Sequence, residues 1–185
     1  MKFCIKPFNK LILKLWGFKI DYSVPAEAHK CVMVFAPHTS MWDFVVGKMV
    51  FDVMGLKVKF FIRKESFRFP FGFFLKALGG IPVDRQHVKK LPIHVGEQIK
   101  KEKEIAVLIA PEGTRKLAPV WKKGFYFIAQ YAQVPMCLCY IDWGKKIGGI
   151  GKIIIYPSGD YESDLQQIQD FYRGMKGKHP DQFNL

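Results

Sequence analysis

A histidine and an aspartate stand five positions apart in the segment FAPHTSMWDF, residues 35–44. At that spacing the Asp43 carboxylate can accept a hydrogen bond from one ring nitrogen of His38, and the other nitrogen is then free to act as a general base. The segment also permits a structural interpretation, because Ser40 and Asp43 match the capping box of a helix. The two interpretations are compatible, since one carboxylate in the first turn can both orient a histidine and cap the helix.

A second polar segment, PEGTR at 111–115, directly follows IAVLIA, the most apolar predicted strand of the chain. Glu112 and Arg115 would then lie at the carboxyl end of that strand, where α/β folds bind their ligands. An ordinary exposed turn is the alternative interpretation, with Gly113 at a position of positive φ.

The segment 63–85 combines basic residues, among them Lys64, Arg68 and Arg85, with a dense run of phenylalanines. Arginine and lysine bind phosphate through charge-assisted hydrogen bonds, and phenylalanines offer an apolar surface to acyl chains. The functional interpretation is a phosphate pocket beside an acyl-chain surface. The alternative is a hydrophobic helix of the core, flanked by solvated charges.

Taken in order, these segments resemble the sequence blocks of the lysophospholipid and glycerolipid acyltransferase family, typified by bacterial 1-acylglycerol-3-phosphate acyltransferases. HTSMWD matches the family's His-x-x-x-x-Asp block, and PEGTR matches its third block in full. GGIPVDR, preceded by Lys64 and Glu65, resembles the second block, and VPMCLCY at 134–140 resembles the fourth. WKKG at 121–124 stands where the family has a Lys-Gly pair before a helix. The resemblance covers about residues 30–142, which would form the catalytic core.

The resemblance implies an O-acyltransferase of the phospholipid-biosynthesis type. Such an enzyme moves a fatty acyl group from acyl-CoA or acyl-carrier protein to the hydroxyl of a lysophospholipid such as 1-acylglycerol-3-phosphate. His38 would accept the proton of the attacking hydroxyl, and Asp43 would orient and stabilise His38. The resemblance assigns binding of the acceptor and its phosphate to a further set: Lys64, Arg85, Glu112, Gly113, Thr114 and Arg115. It implies no metal, and no cofactor other than the acyl donor.

The pattern of apolar runs predicts the elements that would position these residues. Strands are predicted at 30–37, 57–63, 81–84, 105–111, 134–142 and 152–158. Helices are predicted at 40–54, 91–104, 121–133 and 160–177, and the glycine-rich segment 143–151 is predicted to be a turn. The alternation indicates an α/β fold, with residues 1–185 in one domain built on a layered mixed sheet flanked by helices. The family resemblance implies the same architecture, that of the glycerol-3-phosphate acyltransferase type.

The composition is strongly basic, with 29 Lys and Arg against 16 Asp and Glu and a formal charge of +13. This balance predicts an anionic partner, which could be nucleic acid, an anionic membrane or a phosphorylated substrate. The cysteines and histidines lack zinc-finger spacing, and no RNA-reading aromatic motif is present. We therefore expect no nucleic-acid partner.

The first twenty residues have a basic amphipathic pattern. Apolar side chains recur at helical spacing between lysines, at Phe8, Leu11, Ile12, Leu15 and Trp16. Such a helix either lies on an anionic membrane surface or packs against the domain. No apolar run reaches the roughly 18–20 residues that cross a bilayer. We expect a cytoplasmic protein bound peripherally to the inner face of the membrane, docked through 1–20 and the Phe67–Leu75 region.

Three other functions fit parts of the sequence. A thioesterase could use His38 and Asp43 with water as the acceptor, although water needs no phosphate clamp. A non-catalytic protein that binds lipid phosphate would explain the charge and the phenylalanines but not the His-Asp pair. Within the acyltransferase interpretation, the acceptor could be another lysolipid, for example an amino acid lipid.

Overall fold

The structure, a computed structural model, describes residues 5–68, 71–83 and 91–185. The strands are β1 (Lys19–Ile20), β2 (Lys30–Phe35), β3 (Val58–Arg63), β4 (Gly80–Val83), β5 (Ile105–Ile109), β6 (Met136–Asp142) and β7 (Ile147–Ile155). The α-helices are α1 (Ile5–Leu15), α2 (Met41–Met54), α3 (Phe71–Ala77), α4 (Leu91–Lys101), α5 (Gly124–Ala132) and α6 (Tyr161–Tyr172). Short 3-10 helices lie at Ala26–His29, Lys64–Phe67 and Pro180–Gln182.

The strands form a seven-stranded sheet in the order β1-β7-β6-β2-β5-β3-β4. Neighbouring strands are parallel except for β6 and β7, which are antiparallel. The predicted α/β fold with a mixed sheet is therefore confirmed. The five strands from β6 to β4 run in the same direction, so their carboxyl ends meet at one edge of the sheet. Strand β2 lies between β5 and β6. The loop after β2 therefore lies between the loops that follow β5 and β6.

Strand β2 is the buried centre of the sheet and the base of the candidate site. Its residues from Cys31 to Phe35 are all buried. Alternate side chains enter two hydrophobic clusters: Val34 packs in the cluster that contains Phe125 of α5, and Met33 packs in the cluster that contains Val46 of α2. A parallel strand covered on both faces needs a continuous apolar run, which explains the KCVMVF sequence.

The glycine-rich segment 143–151 was predicted to be a turn, and for most of its length this is wrong. Only residues 143–146 turn, and β7 begins at Ile147. The glycines in the strand permit close packing: a Cβ on Gly149 would lie 2.7 Å from Cβ of Asp21, and a Cβ on Gly151 would lie 2.4 Å from the ring of Phe171. A glycine in a sequence can mark a position where another segment packs closely as readily as it marks a turn. Close packing explains the glycines of β7.

The amino-terminal region is a helix followed by a short strand rather than one helix over 1–20. Helix α1 ends at Leu15, and Lys19–Ile20 pairs with β7 as strand β1. Helix α1 buries Leu13 and Asn9 and leaves Leu11 and Leu15 exposed. The apolar stripe noted in the sequence is therefore largely on the outer side of α1.

The other predicted helices are confirmed with shifted ends. Helix α4 ends at Lys101, before a run of charged residues, and α5 begins at Gly124 rather than at the preceding tryptophan. Helix α6 ends at Tyr172, shortly before Gly174, whose φ of 81° is incompatible with a continuing right-handed helix.

Candidate active site

His38 lies in the loop between β2 and α2. The helix that follows has the predicted capping box: the Ser40 side chain accepts a hydrogen bond from the Trp42 amide at 3.3 Å, and Asp43 Oδ2 accepts one from the Ser40 amide at 2.7 Å. The Thr39 amide donates to the same Oδ2 at 2.7 Å. The capping interpretation of Asp43 is thus confirmed. Its carboxylate fixes the peptide groups before and after Thr39.

The same carboxylate faces the imidazole of His38. Nδ1 of His38 lies 3.4 Å from Oδ2 of Asp43, in ion-pair range but longer than a good hydrogen bond. The Asp43 side chain is fully buried, whereas 23% of the His38 side chain is exposed. Within the described residues, Nδ1 is enclosed and has no hydrogen-bond partner. A proton on Nδ1 would therefore be oriented toward Asp43, which leaves Nε2 as the nitrogen available to a substrate.

The buried Asp43 carboxylate is compensated by a third donor from a distant part of the chain. Trp143, in the turn after β6, donates its indole N–H to Oδ1 of Asp43 at 2.7 Å. Its backbone N–H in turn donates to the carbonyl of Lys176 at 2.9 Å. Burial of a carboxylate without such donors costs several kcal/mol. Trp143 could not be predicted from the sequence blocks, because it lies outside all four of them, 100 positions after Asp43.

Glu112 lies in the loop after β5 and contacts the backbone of the His38 loop. Both of its carboxylate oxygens lie 3.1 Å from the His38 backbone nitrogen and share that N–H. Only 3% of Glu112 is exposed, and this burial raises its pKa to about 7; the His38 N–H acts in the opposite direction, and the charge of Asp43 raises the pKa further. The loop after β5 is thereby attached to the loop after β2, and His38, Asp43 and Glu112 form one cluster.

The turn after Glu112 has the predicted positive φ, 64° at Gly113. A Cβ at Gly113 would lie 2.7 Å from Nζ of Lys122, so the lysine side chain lies over the glycine. The Lys122 backbone N–H donates to the Pro111 carbonyl at 2.8 Å and holds the lysine beside the turn. Lys122 belongs to the WKKG segment, for which the sequence resemblance implies no role in the site.

The remaining predicted binding residues are distributed along the same edge of the sheet. Thr114 and Arg115 are exposed in the loop after β5, and Thr114 Oγ1 accepts a hydrogen bond from the Lys116 amide at 3.2 Å. Lys64 is exposed at the carboxyl end of β3, two strands from β2, and in the described part of the chain no hydrogen bond or ion pair joins it to the His38 cluster. Arg85 lies outside the described residues.

The carboxyl-terminal segment also contacts the His38 loop, which the sequence did not indicate. The His179 amide donates to Thr39 Oγ1 at 3.1 Å. Gly177 lies so close that a Cβ there would be 2.6 Å from the same oxygen.

Within residues 5–68, 71–83 and 91–185, no three His, Cys, Asp or Glu side chains are placed to hold a metal ion. The polar side chains that the structure brings together at this site are the imidazole of His38, the carboxylates of Asp43 and Glu112, and the amine of Lys122.

Comparison with known proteins shows to which family the chain belongs. The model of the acyltransferase family matches residues 20–142. The 1-acyl-sn-glycerol-3-phosphate acyltransferase of Bacillus subtilis is 27% identical over 137 residues, which cover 73% of this chain and 67% of that protein. The crystal structure of the 1-acyl-sn-glycerophosphate (LPA) acyltransferase PlsC from Thermotoga maritima superposes with a TM-score of 0.61 at 18% identity, over 90% of this chain and 74% of that chain. The last likeness shows a shared fold.

The region matched by the family, 20–142, contains the three residues that the structure brings together, His38, Asp43 and Glu112. The resemblance to the glycerolipid acyltransferase family is confirmed. The chain belongs to the acyltransferase family and is an acyltransferase enzyme.

Proposed function

We propose that the protein transfers a fatty acyl group from acyl-CoA or acyl-carrier protein to the hydroxyl of a lysophospholipid such as 1-acylglycerol-3-phosphate. The observation that carries the proposal is the enclosed Nδ1 of His38 opposite the buried Asp43 carboxylate, because it leaves the second ring nitrogen for the acceptor. The acceptor class is supported by the names of the Bacillus and Thermotoga relatives.

The proposed reaction is direct transfer. The acceptor hydroxyl oxygen attacks the thioester carbonyl carbon while Nε2 of His38 takes the hydroxyl proton. Asp43 stabilises the resulting imidazolium through Nδ1. The C–S bond then breaks, and the donor sulfur accepts the proton from the His38 imidazolium and leaves as a thiol. General base catalysis of this kind contributes roughly 10²–10⁴-fold, and the reaction as proposed needs neither a metal nor a further cofactor.

The acceptor phosphate would be held by cations around the Glu112–Gly113 turn. Lys122 lies over Gly113, and Arg115 is exposed two positions further along. Each charge-assisted hydrogen bond to a phosphate contributes roughly 1.5–3 kcal/mol. We assign Arg85 and Lys64 to the same clamp from the resemblance, and Glu112, Gly113 and Thr114 to positioning the acceptor.

We further propose that the enzyme binds peripherally to the cytoplasmic face of an anionic membrane. Helix α1 exposes 61% of Phe8, 55% of Leu11 and 75% of Leu15 beside its lysines. Phe73 of α3, in the second predicted docking region, is 77% exposed. None of the described helices has the length and hydrophobicity of a membrane span. Exposed apolar side chains beside lysines, as on α1, are typical of helices that lie in the lipid interface.

The test is acyl transfer from labelled acyl-CoA and acyl-carrier protein to a panel of lysolipids, including an amino acid lipid with a free hydroxyl. Wild type is compared with His38→Ala and with His94→Ala, an exposed histidine on α4. The expected result is an acylated lipid formed by wild type and His94→Ala and lost with His38→Ala. Release of free fatty acid instead of an acylated lipid would identify a thioesterase. Equal turnover by all three proteins would remove His38 from its role, and lipid binding without turnover would favour a non-catalytic protein.

A further inference from the structure

An open cleft lies next to the Trp143–Asp43 hydrogen bond. Four aromatic rings and two lysines from separate parts of the chain form its walls: Trp16, Phe18, Trp42, Trp143, Lys146 and Lys178. Trp42 immediately precedes Asp43, and Trp143 donates to Oδ1 of Asp43, whereas His38 faces Oδ2. The cleft and the candidate active site therefore share Asp43 as a neighbour but do not share their lining side chains.

The two lysines of the cleft lie around one indole ring. Nζ of Lys178 is 5.0 Å from the ring centre of Trp143 and 4.9 Å from that of Trp42. Nζ of Lys146 is 5.3 Å from the Trp143 ring centre and 4.9 Å from that of Phe18. Among the residues that the structure describes, the ion pairs include neither lysine. Two cations without a carboxylate, held at one aromatic surface, provide a site for an anion.

The surroundings of the cleft indicate what carries that anion. Trp16 and Trp42 are 40% and 46% exposed at its rim, and their rings are in edge contact at 5.5 Å. Trp16 follows α1 directly, so the cleft continues onto the exposed apolar stripe of that helix, at Leu15 and Leu11. Tryptophan is enriched at the membrane–water interface, and lysine is attracted to anionic headgroups. A phosphate attached to an apolar chain in a lipid layer matches both features.

We propose that this cleft binds the phosphate of an anionic membrane phospholipid, at a site separate from the acceptor site at His38. The proposal rests on the membrane binding proposed above and not on the identity of the acceptor. A headgroup held by Lys146 and Lys178 would fix the Trp143 indole between them, and that indole holds Asp43. Binding to the membrane surface would thereby stabilise the geometry of the catalytic pair.

The test is flotation of the full chain with vesicles of phosphatidylcholine alone or mixed with phosphatidylglycerol. The variant is Lys146→Ala/Lys178→Ala. The matched control, Lys101→Ala/Lys103→Ala, removes the same charge at the exposed end of α4, near the opposite edge of the sheet. Each lysine near an anionic surface contributes about 1 kcal/mol, so the cleft variant should bind the mixed vesicles roughly 10- to 30-fold more weakly. The control should bind like wild type.

Three results would overturn the proposal. The first is a cleft variant that floats as well as wild type, and the second is an equal loss in the control, which would mean that only net charge matters. The third is displacement of wild type from vesicles by free CoA together with loss of CoA binding in the cleft variant, which would assign the cleft to the acyl donor. If circular dichroism shows that the alanine variant is unfolded, Lys146→Gln/Lys178→Gln replaces it. The flotation contains no acyl donor, so its result is independent of whether the proposed acyl transfer occurs.

Discussion

The indole N–H of Trp143 donates a 2.7 Å hydrogen bond to Oδ1 of Asp43, the carboxylate that faces His38. The second oxygen, Oδ2, accepts from the Thr39 and Ser40 amides. Each oxygen is thus fixed by a different part of the fold, one by the first turn of α2 and the other by the turn after β6. The orientation of Asp43 toward His38 depends on both.

Replacing Trp143 by phenylalanine should lower kcat and leave KM for both substrates nearly unchanged. The ring is kept, but one hydrogen bond to a buried charge is lost, which should reduce kcat on the order of 10-fold. Trp121→Phe is the matched control, since its indole N–H donates to the Asn184 carbonyl at 3.3 Å instead of to Asp43. An unchanged kcat for Trp143→Phe would contradict this role.

The capping and orienting roles of Asp43 can be separated by a pair of variants. Ser40→Ala removes the side-chain half of the capping box but keeps the Ser40 amide that donates to Asp43. It should cost about 0.5–2 kcal/mol in the free energy of unfolding and little activity. Asp43→Asn should reduce kcat far more, on the order of 10³–10⁴-fold, because an amide cannot stabilise the imidazolium. Urea unfolding and steady-state kinetics on both variants measure the two effects. Equal activity losses would mean that the helix start alone matters.

Glu112 should make stability fall as pH rises toward neutrality. Its pKa is raised from 4.5 to about 7 in the folded protein, so the folded state holds this proton more tightly than the unfolded state. The stabilisation by the protonated carboxyl is fully present below about pH 4.5 and is lost as pH rises through about 7. Glu112→Gln cannot titrate and should gain stability relative to wild type across this range. Urea unfolding at intervals from pH 4.5 to 8 measures the difference, and a difference independent of pH would refute the prediction.

Much of the site follows from the sequence because its residues lie next to strong local signals. The apolar runs at 30–37 and 105–111 predict strands, which the structure has at Lys30–Phe35 and Ile105–Ile109. Polar residues directly after a strand must lie at its carboxyl end. The capping box at Ser40 is likewise a local pattern that the structure confirms. Parallel pairing of these two strands then brings His38 and Glu112 together.

Other parts of the site depend on packing between distant segments, which no local pattern specifies. Trp143 reaches Asp43 only because the turn after β6 lies beside the loop after β2. Gly177 and His179 reach Thr39 only because the chain after α6 returns to the sheet edge. The glycines of β7 illustrate the same limit, since glycine predicts a turn by its backbone freedom but permits close packing by its lack of a side chain.

A methyl group at Gly113 should affect acceptor binding more than chemistry. Gly113 has a φ of 64°, and a Cβ would lie 2.7 Å from Nζ of Lys122. Gly113→Ala therefore combines backbone strain of roughly 1–2 kcal/mol with displacement of the lysine. We expect KM for the lysolipid to rise several-fold, with a smaller fall in kcat. Gly159→Ala is the matched control, because Gly159 also has positive φ, 100°, but no atom within 4 Å of its added Cβ.

The two glycine variants should lose similar stability, since both are strained by positive φ, and only Gly113→Ala should change the KM for the acceptor. Lys122→Met, which keeps the bulk of the side chain without its charge, should raise the same KM. The double variant Lys122→Met/Gly113→Ala should then raise this KM little further, because each single change already removes the Lys122 ammonium group from the acceptor phosphate. Steady-state kinetics with the acceptor identified by the lysolipid panel measures this double-mutant cycle. Fully additive effects would mean that Gly113 acts through the backbone of the Glu112 turn and not through Lys122.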